Sequence, residues 1–388
     1  MNELPHFKTS EFNYSLPQDK IAIHPLTNRS DSKLLVYHNG SISNNQFKNL
    51  PSILPQGSKL VFNDTKVIPA RLIFQRETGA QIEIFLVKNL IPDHTWECII
   101  GNKAKFKELD TLYCTNDPQL TAKLVDREKN IVQLFHPDSI TKAIYASGQV
   151  PLPPYFNRVP VEADKERYQT VFAKHDGAVA APTASLHFTK EIIDECLIQG
   201  IQHHFCTLHV GLGTFAPVKE AQIQNHPMHS ERWSVSRDFI ENIYFGDDSI
   251  IPVGTTALRL IETLGVIAFQ INQNKFNPLV VEQGVGYTRD FKNFEPKSIG
   301  PILLDYMERN SINSLNNQTS LFILPGFHFK TAKALITNFH QPNSTLLGLV
   351  SAFTGQNWRM VYNHALQNNY RFLSYGDSSL LYLDNRGV

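Results

Sequence analysis

Net charge is the first thing this sequence lacks: thirty-six basic residues are cancelled by thirty-six acidic ones. A global excess that would by itself point to nucleic acid or to an anionic surface is missing, which leaves a local basic patch as the route to phosphate. Cysteine is scarce. Cys98, Cys114, Cys196 and Cys206 contain no C-x-x-C pair, so neither a disulfide framework nor an iron–sulfur or structural zinc site is signalled, and reduced thiols in a cytoplasmic protein are expected. No uncharged apolar run approaches the ~20 residues of a membrane span, and Met1 to His6 has no apolar signal core. We therefore expect a soluble cytoplasmic chain with no membrane association. Walker A, H-E-x-x-H and G-x-S-x-G patterns are absent too, which removes the common nucleotide hydrolase, zinc protease and serine hydrolase readings.

What is present fits two domains. A chain of 388 residues with 42% hydrophobic content is longer than one ordinary domain and has ample material for a core. Residues 1–68 begin as polar, irregular sequence and then give a buried strand at Leu60-Val61-Phe62 that ends in the turn signal Asn63-Asp64. From about residue 72 to 135, six short β-rich runs recur with turn-like gaps, and Ile82, Ile84 and Leu86 alternate with Glu83 and Phe85. Runs at this spacing predict a small β-barrel inserted into the chain. Ser139 is placed to cap a helix that Gly148 ends, and Pro151-Leu152-Pro153-Pro154 is a stiff return. Beyond it the texture is α/β: a helix capped by Thr189, strands at 202–210 and 250–253, a helix from Thr255, a strand at Leu321–Leu324, helices after Ser344 and around Trp358, and a closing strand at 380–383. Residues 271–320 read as polar and irregular. The expected architecture is an α/β main domain, a mixed sheet with helices, formed by 1–70 plus 151–388, with a small β-barrel domain inserted at 71–150.

The stretch from Asp176 to Lys190 is nearly free of side-chain bulk, with Gly177, Ala178, Ala180, Ala181 and Ala184, so backbone N–H groups can lie against a ligand. Val210-Gly211-Leu212-Gly213 follows a strand, but Pro217 and Val218 continue as extended chain where a dinucleotide loop would open a helix. His187, His209, His226, His229 and His340 stand in Gly/Pro/Ser/Thr-rich segments suited to proton transfer, although any one of them can equally be a core-satisfied histidine. His226, His229 and Glu231 lack the helical offset of a metal site, and no metal is expected. Arg167, Arg259 and Arg371 are each able to hold a carboxylate or phosphate bidentately. Lys103, Lys105 and Lys107 alternate, which on a strand sets three ammonium groups along one face.

Taken in order, these segments resemble the S-adenosylmethionine:tRNA ribosyltransferase-isomerase family of queuosine biosynthesis. The resemblance is carried nearly end to end by 60–72, 150–155, 167–172, 177–189, 209–218, 226–231, 253–262, 337–340, 344–347 and 370–377. It implies an enzyme that consumes S-adenosylmethionine as a ribosyl donor, without a further cofactor. The implied acceptor is 7-aminomethyl-7-deazaguanine at the wobble position of a tRNA with a GUN anticodon, and the implied products are epoxyqueuosine-tRNA, adenine and methionine. With the resemblance, proton transfer falls to His187, His209 or His340. Substrate contacts fall to Arg167, Gly177, Ala178, Ala180, Ala181, Thr183, Gly211, Gly213, Thr214, Thr255, Thr256, Arg259 and Asn338, with Arg259 on the methionyl carboxylate. Lys66, Arg71, Lys103, Lys105 and Lys107 are the expected tRNA contacts, and a monomer is expected. Ser185, Lys333, Gln341 and Gly348 stand where the family usually has Gly, Asp, Leu and Met. Those departures keep open a paralogue with the same donor pocket and another acceptor; a non-catalytic tRNA-binding protein is a separate alternative.

Overall fold

Leu60-Val61-Phe62 seeds the larger sheet. A computed structural model, which describes residues 4–90, 94–108, 110–211, 217–228, 230–246 and 248–383, sets it in the fully buried strand Lys59–Asn63. Strands Ile250–Pro252 and Gln202–Leu208 flank it in parallel, and Glu231–Ser236 and Ser314–Thr319 continue the sheet antiparallel. A run without polar alternation belongs at such a central parallel position, covered on both faces. A second sheet, ordered Ala334–Asn338, Ser378–Tyr382, Lys33–His38, Ser41–Gln46, is joined to the first by the bridge between Val253 and Ile336. The body is thus built of mixed sheets with helices.

Helix Thr255–Asn272 is buried at every residue but its last. A helix apolar nearly all round has to be covered on all sides, and the sheet and helix Ile299–Arg309 do so. Its N-terminus begins after Gly254, which holds a φ of +96° and supplies no side-chain cap. That leaves first-turn N–H groups for another partner.

The six β-rich runs become strands Arg71–Gln75, Gln81–Asn89, Thr95–Ile100, Thr111–Cys114, Thr121–Asp126 and Ile131–Phe135, paired antiparallel in a closed ring. Leu72, Phe74, Ile82, Ile84 and Leu86 point inward and are fully buried in an apolar cluster separate from that of the body. Entry and exit run side by side: Arg71 pairs with Gln149, and a Cβ on Gly148 would meet the Pro69 carbonyl oxygen at 1.9 Å. Ser139 caps helix Ile140–Ser147 by accepting the Lys142 N–H.

Four expectations need correction. Residues 271–320 are not irregular: they hold helices Arg289–Asn293 and Ile299–Arg309 and the edge strand Ser314–Thr319. Leu321–Leu324 is buried but belongs to no strand. The N-terminal segment carries the hairpin Lys33–His38/Ser41–Gln46, turned by Asn39 and Gly40 at φ of 50° and 80°, the geometry for which an Asn-Gly pair is suited. Lys103–Lys105 is a 3-10 turn, not a strand, so Lys103, Lys105 and Lys107 do not line one strand face. No helix among the described residues is long and apolar enough to cross a membrane, and all four cysteines are buried free thiols.

Candidate active site

Val210 lies where two hollows meet. One is a recess of about 70 Å³ in the body, walled by Ala180, Ala181, Thr183, Thr255, Thr256 and His340 among others. The other is a cleft of about 1140 Å³ between the ring and the outer face of the five-stranded sheet, bordered by Asp176, Gly177, His209, Gly211, Arg232 and Tyr145. Ligand sites commonly occupy ~300–1,000 Å³, so the cleft has room for a nucleoside and the recess only for a small terminal group. Val210 borders both and accepts the Val179 N–H through its carbonyl, which ties the small-residue stretch to the glycine segment. Gly213 and Thr214, with Leu212, Phe215 and Ala216, lie outside the described residues, as does His229.

The three expected histidines do not converge. His209 is on the cleft wall, its Nδ1 2.8 Å from the buried Thr65 hydroxyl and its Nε2 without a partner among the described residues. Burial, then the charges of His175 and Arg232, lower its pKa against the pull of Asp176, so near neutrality it is an unprotonated base. His340 is in the recess wall, its Nε2 2.9 Å from the Thr337 hydroxyl, and burial pushes it down to about 4. His187 lines neither hollow. The Asn338 amide nitrogen donates to the Leu373 and Ser374 carbonyls, so its oxygen must accept from His187 Nε2, 3.1 Å away. Nδ1 then accepts from the Ser32 hydroxyl at 2.8 Å. Both nitrogens are thus hydrogen-bonded, burial pushes the pKa down to about 4, and the ring holds Asn338 in place.

The arginines are engaged in different ways. Arg167 donates to the carbonyls of Thr27 and Leu26, and neither it nor Arg259 lines either hollow. Arg71 is held bidentately by Glu83 at 2.7 and 3.2 Å, which cancels its charge at the ring's entry. Arg259 is buried, and its Nη1 donates to Glu231 Oε2 at 2.5 Å. Its Nε and Nη2 have no partner among the described residues, nor has the buried Thr256 hydroxyl one turn earlier. Nε and Nη2 form the edge that grips a carboxylate. Ala178 is buried beside Val67 and reaches neither hollow. Lys66 is 3.5 Å from Asp176 and over the Tyr145 ring, while the Tyr145 hydroxyl donates to Asp176 at 2.5 Å. That contact fastens the helix after the ring to the body; Tyr145 did not stand out in the sequence, and Asp176 only as the start of the small-residue stretch. Of the four departures from the family pattern, only Gln341 borders the recess; Lys333 is exposed and Ser185 is fully buried.

Residues 9–381 match the family described as queuosine biosynthesis protein. A protein of Halothermothrix orenii named S-adenosylmethionine:tRNA ribosyltransferase-isomerase is 38% identical over 389 residues, covering 96% of this chain and 99% of that one. One of the same name from Nitrosomonas eutropha is 37% identical, covering 98% of this chain and 99% of its own. A crystal structure of S-adenosylmethionine tRNA ribosyltransferase from Thermotoga maritima, 28% identical, covers 96% of this chain and 99% of that one with a TM-score of 0.47. By both the family match and the near-complete span of these relatives, the chain belongs to the queuosine biosynthesis protein family.

Proposed function

We propose that this chain is an S-adenosylmethionine:tRNA ribosyltransferase-isomerase. The observation that carries the reading is identity of 38% across 96% of the chain to a relative of that name. It transfers and isomerises the ribosyl moiety of S-adenosylmethionine onto 7-aminomethyl-7-deazaguanine at the wobble position of a GUN-anticodon tRNA. Epoxyqueuosine-tRNA, adenine and methionine are the products, and S-adenosylmethionine is a consumed co-substrate. The enzyme is a cytoplasmic monomer, with 1–70 plus 151–388 as catalytic domain and 71–150 as an inserted barrel domain.

The chemistry needs a carboxylate clamp, a base and a dry cleft. The methionyl carboxylate goes to the uncapped start of helix Thr255–Asn272, where first-turn N–H groups, the Thr256 hydroxyl and the Nε/Nη2 edge of Arg259 await an anion. From there the adenosyl group passes Val210 into the cleft along Gly177 and Gly211. The sulfonium acidifies the adjacent 5′ C–H, and His209 Nε2 removes that proton. The ylide expels adenine, the exocyclic amine of the deazaguanine captures the opened sugar, and methionine departs. Thr65 orients the imidazole, and Asp176 favours the imidazolium that forms. Adenine release measured with donor and tRNA together, and with each alone, tests the reading: release is expected only with both and is abolished in His209→Ala. A wild-type rate in that variant would remove His209 from the mechanism.

A further inference from the structure

The outer face of the five-stranded sheet is polar where it borders the cleft. In Glu231–Ser236 the burial alternates, so Glu231, Trp233 and Val235 are covered while Arg232 and Ser234 face out. Arg232 pairs with Gln318 and Ser234 with Asn316, which carries both of those residues to the same side as the cleft. His209 joins them, its N–H donating to the Arg232 carbonyl. An edge of a sheet normally buries apolar side chains or hides behind charge, yet this one presents two amides, a hydroxyl, a guanidinium and an imidazole to an enclosed space.

The opposite wall is the ring's mouth. Asn89 and Trp96 are cross-strand partners there, and Asn130 turns the chain into Ile131–Phe135 at a φ of 54°. The Trp96 indole N–H and the side-chain oxygens of Asn89 and Asn130 are buried without a partner among the described residues, and all three residues border the cleft. Native structures rarely leave such groups unpaired, and water, an ion or a ligand completes them. One donor and two acceptors are the groups that the O6, N1–H and N2–H₂ edge of a guanine-type base requires, O6 accepting and the two nitrogens donating.

We infer that the ring's mouth is the acceptor-base subsite: Trp96 donates to O6 of the deazaguanine, while Asn89 and Asn130 accept from its N1–H and N2–H₂ groups. Holding the Watson–Crick edge against the ring turns the 7-aminomethyl arm across the cleft, toward His209 and the donor's opened sugar. Asn316, Gln318 and Arg232 then flank the base's own ribose and phosphate. The inserted ring reads the base by hydrogen bonds, and its lysines are not needed for that reading. The inference rests on the proposed function and names the place of its acceptor.

The test uses the full chain, S-adenosylmethionine and an anticodon stem-loop carrying the deazaguanine. Trp96→Phe keeps the aromatic surface and removes only the N–H, and Asn89→Ala removes one acceptor. Each is expected to lower kcat/KM for the stem-loop by roughly tenfold, the scale of one lost buried hydrogen bond. S-adenosylmethionine affinity, measured by calorimetry, is expected to hold in both variants, which also shows that they fold. Unchanged kcat/KM in both would overturn the subsite. So would a parallel loss of donor affinity, which would give the ring's mouth to the donor's adenine. A wild-type protein that forms no product would instead strike the functional reading itself, which keeps the two failures distinct.

Discussion

Replacing Gly177 with alanine places a single methyl group against the proposed base. The new Cβ would sit 2.9 Å from His209 Nδ1 and 3.0 Å from Cε1, against an ordinary contact of 3.4 Å or more. The ring must therefore retreat by about 0.5 Å, and it is held by a 2.8 Å hydrogen bond to Thr65, a residue with no exposed surface. Misplacing a reacting group by ~1 Å costs on the order of 100-fold in rate, so half that shift predicts a loss of roughly tenfold. Gly177 also holds a φ of +142°, and an alanine forced into that region costs about 1–3 kcal/mol of stability. Initial rates of adenine release at saturating donor and tRNA, paired with thermal unfolding, separate the two effects. As a stability control, Gly211→Ala, whose Cβ would have nothing within 4 Å, should unfold at the wild-type temperature. A Gly177→Ala enzyme with the wild-type rate would refute the placement of His209 at the reacting centre.

Three further outcomes follow from the same geometry. His187, lowered by burial from 6.5 to about 4, stays neutral in the folded state while the unfolded chain takes up its proton; stability is full above pH 6.5, falls by about 3 kcal/mol between 6.5 and 4, and is flat in this contribution below. Urea unfolding should show a shallower pH dependence in His187→Asn, and equal pH slopes would contradict the assignment. Arg259→Lys keeps the charge beside Glu231 but loses the flat Nε/Nη2 edge, so donor affinity should weaken by roughly tenfold or more in calorimetry; unaltered affinity would move the carboxylate elsewhere. Neutralising Lys105 and Lys107, both exposed at the ring's turn, should reduce the log–log salt slope of tRNA binding by about 1–2, and an unchanged slope would remove them from the interface.

Local chemistry was legible in the sequence and spatial convergence was not. The ring's strands show through because Ile82, Ile84 and Leu86 alternate with more exposed neighbours, and Ser139, Thr189 and Ser344 cap helices through their own hydroxyls. Strand Ser314–Thr319 escaped notice because an edge strand facing a polar cleft carries Asn316, Asn317 and Gln318, a composition typical of loops. The alternation of Arg232 and Ser234 with Trp233 and Val235 was the signal that would have found its neighbour. Leu321–Leu324 has the opposite character: apolar enough for a strand, it is buried by surrounding elements without a ladder. Among the histidines, residue type and loop context were identical. What separates His187 from His209 is Asn338, whose amide nitrogen is fixed by two carbonyls from a distant segment, and no local pattern encodes that.

The most direct measurement combines the protein, S-adenosylmethionine and tRNA bearing 7-aminomethyl-7-deazaguanine, then digests the tRNA and weighs the wobble nucleoside. A mass increase equal to an added epoxycyclopentanediol, matched by one adenine and one methionine released per tRNA, is the predicted result. An unmodified wobble nucleoside after complete turnover conditions, whether or not adenine appears, would contradict the account.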